Sequence, residues 1–286
     1  MPELPEVDTV VRVLKQQRLI GRRISHCELQ WDRTVGGDRE GFLWAITGAL
    51  IRGVGRRGKY IVLPLRLRQA EAGPASLLVH LRMSGRLYLS DASTAPNGYE
   101  RVVFALDDGR LLRFHDPRKF GRVLLLDTPP PQLRALGPEP NGSRFSPAVF
   151  GESLRGRRRM LKALLLDQTV VAGLGNIYVD EALWEARLHP KRLASSLELH
   201  ETERLFDAIQ EVLQRAIANN GTRLGGGMAN FVLPSDAAGA RNQDHLRVFR
   251  RTGEPCARCG TAVARILVVQ RSTHLCPYCQ ALAGDR

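Results

Sequence analysis

The first residues after the initiator methionine combine a nucleophile with two acids. Removal of Met1, which a following proline permits, gives Pro2 a free secondary amine. An N-terminal amine titrates close to neutral pH, so part of it is uncharged and can attack an electrophilic carbon. The carboxylates of Glu3 and Glu6 lie in the same short stretch and suit proton transfer. The stretch therefore has the composition of an iminium-forming active site.

The same stretch also suits a purely structural role. Pro5 fits the first turn of a helix, where the acids Glu6 and Asp8 interact favourably with the helix dipole. Apolar residues then recur with helical spacing, at Val7, Val10, Val11 and Leu14. The pattern predicts an amphipathic helix that ends near Gly21, and composition alone leaves both interpretations open.

Four of the five cysteines form two CxxC pairs late in the chain, namely Cys256, Cys259, Cys276 and Cys279. Four thiolates at this spacing predict one tetrahedral zinc ion. A closed set of four cysteine ligands leaves no position for a catalytic water, so the zinc would be structural. Paired cysteines of this kind indicate a metal site in a reducing compartment and not a disulfide framework. Cys27 stands alone in an alternating apolar stretch and is predicted to be buried.

Three further segments carry residue types that suit chemistry or contact with an anion. Lys59, one of only five lysines, precedes a predicted strand and suits phosphate binding or proton transfer. Met83 lies in a turn between strands, where methionine most often fills the core. Arg118 and Phe120 share a turn, and an exposed phenylalanine is costly unless it is used. None of these segments identifies a function by itself.

The charge balance favours a polyanionic partner, because the 286-residue chain has a formal net charge of +13. Arginine supplies most of this charge and suits bidentate contacts with phosphate. The arginine-rich run at 155–159 is either a solvated face or a phosphate contact. No apolar run is long enough to span a membrane, and no signal-peptide pattern is present. A cytoplasmic monomer without a membrane partner is therefore expected.

The sequence pattern also predicts the elements that must position these residues. Residues 24–127 contain short apolar runs separated by turn residues, which predicts an antiparallel sandwich or barrel with one helix. Residues 128–147 are rich in Pro and Gly and predict a hinge between domains. Residues 152–222 have helical periodicity. Within them, Gly173 and Gly175 precede a helix start, where glycines let backbone amides approach an anion or allow close packing.

Taken together, PELPEV at the N-terminus, VAGLGNIYVDEAL and the two CxxC pairs resemble formamidopyrimidine-DNA glycosylase, a base-excision repair family. The resemblance covers the whole chain and implies catalytic roles. Pro2 would attack C1′ of the damaged nucleoside, Glu3 would protonate the sugar oxygen, and Glu6 would orient the N-terminus. Lys59 would be the proton donor in β-elimination, and Arg271 would act in δ-elimination.

The resemblance also implies which residues contact DNA. Met83, Arg118 and Phe120 would fill the void left by an extruded base, since insertion of side chains offsets the cost of unstacking. Asn176 would hold a phosphate, and Arg157 and Lys162 match further DNA-facing positions less specifically. One position departs from the family: Glu100 stands near the place where a DNA-binding histidine is expected.

The implied fold class is α+β. An N-terminal catalytic β-sandwich domain with a flanking helix (1–127) and a linker (128–147) would precede a helical helix–two-turns–helix DNA-binding domain (148–245). A zinc-finger hairpin with four cysteine ligands would follow at 246–286, with damaged double-stranded DNA bound in the cleft between the lobes. Residues 223–245 match a lesion-capping loop of the family, but they contain Gly225-Gly226-Gly227 and lack the usual aromatic near the end.

The expected function is that of a bifunctional DNA glycosylase and AP lyase. The enzyme would remove oxidised purines such as 8-oxoguanine and formamidopyrimidines through a Pro2 Schiff base, followed by β,δ-elimination. Two alternatives stay open at this point. One is an endonuclease VIII-like glycosylase for oxidised pyrimidines, although Leu4 stands where those enzymes typically have glycine. The other is a noncatalytic zinc-dependent DNA-binding protein.

Overall fold

The computed structural model describes residues 1–68, 74–127, 130–223 and 241–282, which form two compact units. The described residues up to 135, together with 220–223 and Arg241, make up the first unit. The second unit contains residues 136–219 and 242–282. The sequence boundaries placed 220–223 with the helical domain. These residues join the first unit because Arg12 Nη2 donates to Asn220 Oδ1 (2.6 Å) and the Thr222 N–H donates to Glu6 Oε1 (2.7 Å).

Helix α1 spans Leu4–Gln16 and buries the apolar face that its spacing predicts. Glu3 is the N-cap residue, and its side chain and that of Glu6 form a capping box in which each accepts the backbone N–H of the other. Pro5 fits this first turn because its missing N–H leaves no helical bond unmade. This local contact orients both acids without the help of a tertiary contact.

The strands of the first unit form two sheets in which every pairing is antiparallel. One sheet has the order β1-β7-β8-β6 and contains Ile24–Leu29 (β1), Arg86–Asp91 (β6), Glu100–Leu106 (β7) and Arg110–His115 (β8). The other has the order β2-β4-β5-β9 with β3 paired to β4, and contains Leu50–Ile51 (β2), Gly55–Arg57 (β3), Tyr60–Arg66 (β4), Ala75–His80 (β5) and Arg122–Asp127 (β9). The short helices Arg39–Ile46 (α2) and Pro131–Arg134 (α3) also belong to this unit.

Both sheets and α1 contribute to a single hydrophobic core. Along β4 buried and less buried residues alternate, so Ile61, Leu63 and Leu65 face that core. Phe104 and Phe114 enter it from the other sheet and are fully buried. Truncating such a ring to alanine lowers the free energy of unfolding by about 3–5 kcal/mol. The well-packed core therefore holds the strands in place, and with them the ends of the turns that connect them.

The second unit is helical, with a terminal hairpin. Its helices are Pro147–Leu154 (α4), Leu161–Leu165 (α5), Asn176–Glu185 (α6) and Leu199–Ala218 (α7). Helix α7 begins with a capping box formed by Glu198 and Glu201. Strands Ala264–Val268 (β10) and Arg271–Leu275 (β11) pair into the hairpin. Between them Val269 and Gln270 both have positive φ, as a two-residue hairpin turn requires.

Helix α6 holds the C-terminal segment through two successive turns of acidic and aromatic side chains. The buried carboxylate of Glu181 accepts three consecutive backbone N–H groups, those of residues 247–249, at 2.8–3.0 Å. One turn later, Trp184 Nε1 donates to Cys256 Sγ (3.4 Å), and the Arg258 guanidinium lies 3.7 Å from the centre of the Trp184 ring. Arg258 also pairs with Glu185. The segment that leads into the hairpin is therefore attached to α6 through residues 247–249, Cys256 and Arg258.

The α+β fold class expected from the sequence is confirmed, with antiparallel sheets, a helical unit and a cysteine-bearing hairpin. Helix α2 and strands β3 and β9 are additions that the pattern did not single out. Residues 224–240, which contain most of the predicted lesion-capping loop, lie outside the described residues. Among the helices that the structure describes, none is long and apolar enough to cross a membrane.

Candidate active site and DNA-contact residues

The predicted nucleophile and its two acids are held together at the start of α1. Pro2 and both glutamates are buried, and Met1 is exposed. Glu6 Oε2 accepts the N–H of Glu3 (2.7 Å), while Glu6 Oε1 accepts the N–H of Thr222. Both oxygens of Glu6 are thus engaged by backbone groups, which makes Glu6 an orienting residue. Gly221 has a φ of +79°, a backbone conformation that glycine adopts readily, and this turn directs the N–H of Thr222 to Glu6.

Lys59 lies in the turn between β3 and β4 and is largely buried. Arg56 positions this turn, because its Nε lies 3.4 Å from Asp8 Oδ1 on α1 and its Nη1 donates to the carbonyl of Gly58 (3.1 Å). The turn is accordingly tied to the same helix whose first residues carry the nucleophile. The buried ammonium of Lys59 is suited to proton transfer or to binding an anion.

His80, which the sequence did not single out, lies near Lys59 and the Met83 turn. It ends β5, its ring packs edge-on against Tyr60, and its Nδ1 accepts the N–H of Arg82 (3.0 Å). Burial, followed by the charges of Arg82 and Lys59, lowers the pKa of His80 to about 3. Because His80 is neutral and its neighbours Arg82 and Lys59 are cationic, the local potential is positive and would stabilise a bound anion. The only feature of the sequence that pointed to His80 was its position two residues before Arg82, in the segment that carries Met83.

The turns that carry Met83 and Phe120 both leave an apolar side chain in solvent. Met83 is 42% exposed and Phe120 is 50% exposed. The Arg118 guanidinium lies 4.9 Å from the centre of the Phe120 ring, which is a cation–π contact. Met83 therefore does not fill the core, and the expectation that these side chains are available to a partner fits their exposure.

A single buried carboxylate, that of Asp116, joins these two turns. Ser84 Oγ donates to Asp116 Oδ1, and Gly121 N–H donates to Asp116 Oδ2 (2.7 Å). Arg101 Nε donates to the carbonyl of Asp116 (2.8 Å) from the neighbouring strand β7. Asp116 thus fixes the Met83 turn and the Phe120 turn relative to each other. Nothing in the sequence identifies Ser84, 32 positions earlier in the chain, as the partner of Asp116.

Glu100, which departs from the family pattern, has a structural role. It is buried and forms an ion pair with Arg113 (3.3 Å), and it accepts the N–H of Asn97 (3.0 Å). Burial acts to raise the pKa of this carboxyl, but the Asn97 amide and Arg113 outweigh it, and the pKa is lowered. The partners of the Glu100 carboxylate, Arg113 and Asn97, both lie in the first unit.

In the second unit, Asn176 occupies the first turn of α6, directly after the N-cap residue Gly175. Asn176 Nδ2 donates to the carbonyl of Ser272 (2.8 Å). Its Oδ1 is buried and has no hydrogen-bond partner among the described residues. Gly173, with a φ of +102°, provides the left-handed turn that brings the chain into the helix. Asn176 and the exposed Arg271, the neighbour of Ser272, therefore lie close together.

The structure places the remaining two DNA-facing candidates differently from each other. Arg157 is exposed within the arginine-rich run at 155–159. Lys162 is 0% exposed and pairs with the buried carboxylate of Asp180 on α6. The ammonium of Lys162 is thus directed to the interior, in contrast to its expected position. The reason is that α6 supplies a counter-charge 18 positions later in the chain.

The four predicted metal ligands converge at the base of the hairpin. Their Sγ atoms all lie within 4.8 Å of one another, with Cys259 at 3.5 Å from both Cys276 and Cys279. Four sulfurs at about 2.3 Å from one zinc would be separated by about 3.8 Å, so the cluster has the size that the ion requires. Hydrogen bonds from the side chain and backbone of Thr261 lower the pKa of the Cys259 thiol to about 6, which favours the thiolate.

Three family models match the chain in order. They are the formamidopyrimidine-DNA glycosylase N-terminal domain at residues 1–123, the formamidopyrimidine-DNA glycosylase H2TH domain at 136–225, and the zinc finger found in FPG and IleRS at 253–282. Together with the two sheets, the helical unit and the cysteine cluster, these matches define a DNA-repair glycosylase with a zinc-finger domain.

Similar proteins agree over nearly the full length. Formamidopyrimidine-DNA glycosylase of Protochlamydia amoebophila is 44% identical over 98% of this chain and 99% of its own. The Herpetosiphon aurantiacus protein of the same name is 46% identical over 98% of this chain and 100% of its own. The chain therefore belongs to the formamidopyrimidine-DNA glycosylase family, as its motifs indicated.

Solved structures show the same fold bound to damaged DNA. A variant of the Lactococcus lactis enzyme in complex with DNA containing Fapy-dG has a TM-score of 0.87 and 38% identity, covering 98% of this chain and 100% of that one. The complex of the Lactococcus lactis enzyme with DNA containing an abasic site has a TM-score of 0.87 and 36% identity, with the same coverage.

Proposed function

We propose that this DNA glycosylase is bifunctional and excises oxidised purines, such as 8-oxoguanine and formamidopyrimidines, from double-stranded DNA before cleaving the abasic site. The observation that carries the proposal is the buried cluster of Pro2, Glu3 and Glu6, in which Glu6 fixes the backbone next to the nucleophile. The capping box accounts for the contact between Glu3 and Glu6, but a protein that only bound DNA would have no use for a nucleophilic amine beside two buried acids.

The chemistry follows from that cluster. The Pro2 nitrogen attacks C1′ of the extruded nucleoside and gives up its proton, while the base departs with the electron pair of the glycosidic bond and takes up a proton. Glu3 donates a proton to the ring oxygen, so the sugar opens and an iminium forms between Pro2 and C1′. The cationic iminium makes the C2′ proton acidic, and its removal expels the 3′-phosphate. A second elimination, assigned to Arg271, expels the 5′-phosphate.

The exposed side chains of the first unit are assigned to the duplex. A base cannot react inside the stack, so it must be extruded at a cost of a few kcal/mol. Met83 and Phe120 would occupy the vacated space, with Arg118 directed at the orphaned base. The exposed Arg157 and the half-buried Asn176 of the second unit would contact phosphates. The relatives solved with Fapy-dG DNA and abasic-site DNA support this choice of partner.

The cysteine cluster is proposed to hold one structural zinc ion. The residues Cys256, Cys259, Cys276 and Cys279 would be its ligands, and the ion would stabilise the hairpin without taking part in the reaction.

Borohydride trapping tests the proposal directly. Incubation of the protein with duplex DNA that contains one 8-oxoguanine opposite cytosine should give a covalent adduct after reduction of the iminium. Pro2→Gly should sharply reduce the adduct. Glu3→Gln should block base removal yet still trap on a preformed abasic site. Equal excision by Glu3→Gln and wild type, or preferred trapping on an oxidised pyrimidine, would contradict the assigned mechanism or substrate.

A further inference from the structure

The hairpin that bears Arg271 is fastened to the helices of the second unit by a buried network. Asp180 Oδ2 accepts the backbone N–H of His274 on β11 (2.9 Å). The other oxygen of Asp180 pairs with Lys162, and neither side chain is accessible to solvent. Lys162 Nζ also lies 3.5 Å from the carbonyl of Ser272. One carboxylate therefore joins α5, α6 and β11.

The contacts fall on the backbone immediately beside Arg271. The Ser272 carbonyl receives the Asn176 amide as well as Lys162, and the Thr273 side chain is fully buried and donates to the carbonyl of Arg271 (3.1 Å). The turn before Arg271 adds stiffness, because Val269 has a φ of +45°, a region that a β-branched residue rarely adopts. A shift of β11 would thus be transmitted to Arg271.

A buried ion pair seldom adds much stability, because the loss of hydration offsets the attraction of the charges. Such a pair is better explained by the geometry that it imposes. We propose that the Lys162–Asp180 pair is a positioning device for the second elimination: Asp180 sets the place of β11, and Lys162 neutralises Asp180 so that the carboxylate can be buried there. The inference rests on the proposed function, in which Arg271 acts in δ-elimination.

Two charge-neutral double variants isolate the hydrogen bond to the hairpin. In the Lys162→Met background, Asp180→Asn keeps an oxygen that can accept the His274 N–H. In the same background, Asp180→Leu has nearly the same volume but no acceptor. Neither leaves an uncompensated buried charge, which alone would be strongly destabilising. The two variants therefore differ chiefly in the contacts of this oxygen with His274, whose Nδ1 also lies 3.2 Å from Asp180 Oδ2.

The assay is cleavage of DNA with a preformed abasic site, in which β- and δ-elimination products are separated by gel electrophoresis. The Leu variant should lower the ratio of δ to β product at least fivefold, and the Asn variant should stay within twofold of wild type. β-Elimination and borohydride trapping should be unchanged in both. Equal product ratios in the two variants, or parallel loss of both eliminations, would overturn the positioning role.

A third variant covers the case in which the Leu variant does not fold. Asp180→Glu retains the charge opposite Lys162 but displaces the carboxylate by one methylene, so the δ to β ratio should fall about threefold. A ratio equal to that of wild type would refute the proposal. As a control, Glu201→Gln removes the partner of Arg192, an ion pair of the same unit outside this network, and should leave the ratio unchanged. Failure of wild type to cleave or trap would instead refute the proposed function.

Discussion

Acidification should destabilise the first unit through His80. In the native state burial and the charges of Arg82 and Lys59 lower the pKa of this side chain from 6.5 to about 3. The Nδ1 atom also accepts the Arg82 N–H, a bond that protonation of that nitrogen would break. Below pH 6.5 the unfolded chain therefore binds a proton that the folded chain excludes. The contribution of neutral His80 to the free energy of unfolding is fully present above pH 6.5, and it declines as the pH falls towards 3.

The size of the effect follows from these two values. Between pH 7 and pH 5 the unfolded state becomes almost fully protonated at His80, while the folded state stays neutral. The linkage relation then gives a loss of about 2 kcal/mol from this residue over that interval. His80→Asn removes the titration and retains an oxygen that can accept the Arg82 N–H. The variant should lose about 2 kcal/mol less than wild type between the two pH values.

Urea unfolding at pH 7 and pH 5 measures this difference, with tryptophan fluorescence as the signal. Trp31 and Trp44 report from the first unit. His26 is an exposed histidine of the same unit, and His26→Asn serves as the matched control that should follow wild type at both pH values. An equal loss in His80→Asn and wild type would show that His80 is not held neutral, and the reasoning from burial and cationic neighbours would be wrong.

Four other predictions follow from the site. Cys259→Ser, or strong chelation, should unfold the hairpin and weaken DNA binding while the first unit stays folded; purified native protein without zinc would contradict this. Asp116→Asn places an amide N–H against the donors that now share the carboxylate. The free energy of unfolding, measured by urea titration, should fall by about 2–3 kcal/mol. Ser84→Ala, which removes only one donor, should cost about 1 kcal/mol in the same titrations. Phe120→Ala should slow single-turnover excision of 8-oxoguanine about tenfold without altering stability by more than about 0.5 kcal/mol, because the ring is half exposed.

Local patterns were sufficient to predict much of the fold. The period of α1, the alternating strands and the paired cysteines each depend on residues close together in the chain, and the structure shows a helix, antiparallel sheets and a sulfur cluster there. Helix α2 was missed because it is short, and its main signal is the single N-cap residue Asp38, which accepts the Gly41 N–H. Its apolar residues form one continuous run, Phe42–Ile46, which shows no helical spacing over so short a length.

Distant pairings could not be predicted in this way. Nothing near Lys162 indicates that Asp180 will neutralise it, and its assignment to a DNA-facing position rested on the family resemblance alone. The joining of the two exposed turns by Asp116 depends on Ser84, 32 positions earlier in the chain. The grouping of residues 220–223 with the first unit likewise depends on Glu6 and Arg12. Each of these contacts is set by the topology of the fold and not by local preference.

The three backbone amides bound by Glu181 bear on how the metal site assembles. These contacts precede the first cysteine of the cluster in the chain and require no ion, so residues 247–249 can dock on α6 before the metal binds. The metal would then meet a ligand set whose N-terminal end is already anchored, and a smaller loss of chain entropy would accompany loading. In metal-depleted protein, protease cleavage should begin beyond Phe249 and leave the preceding segment intact. Re-addition of zinc would restore the hairpin from that anchored end.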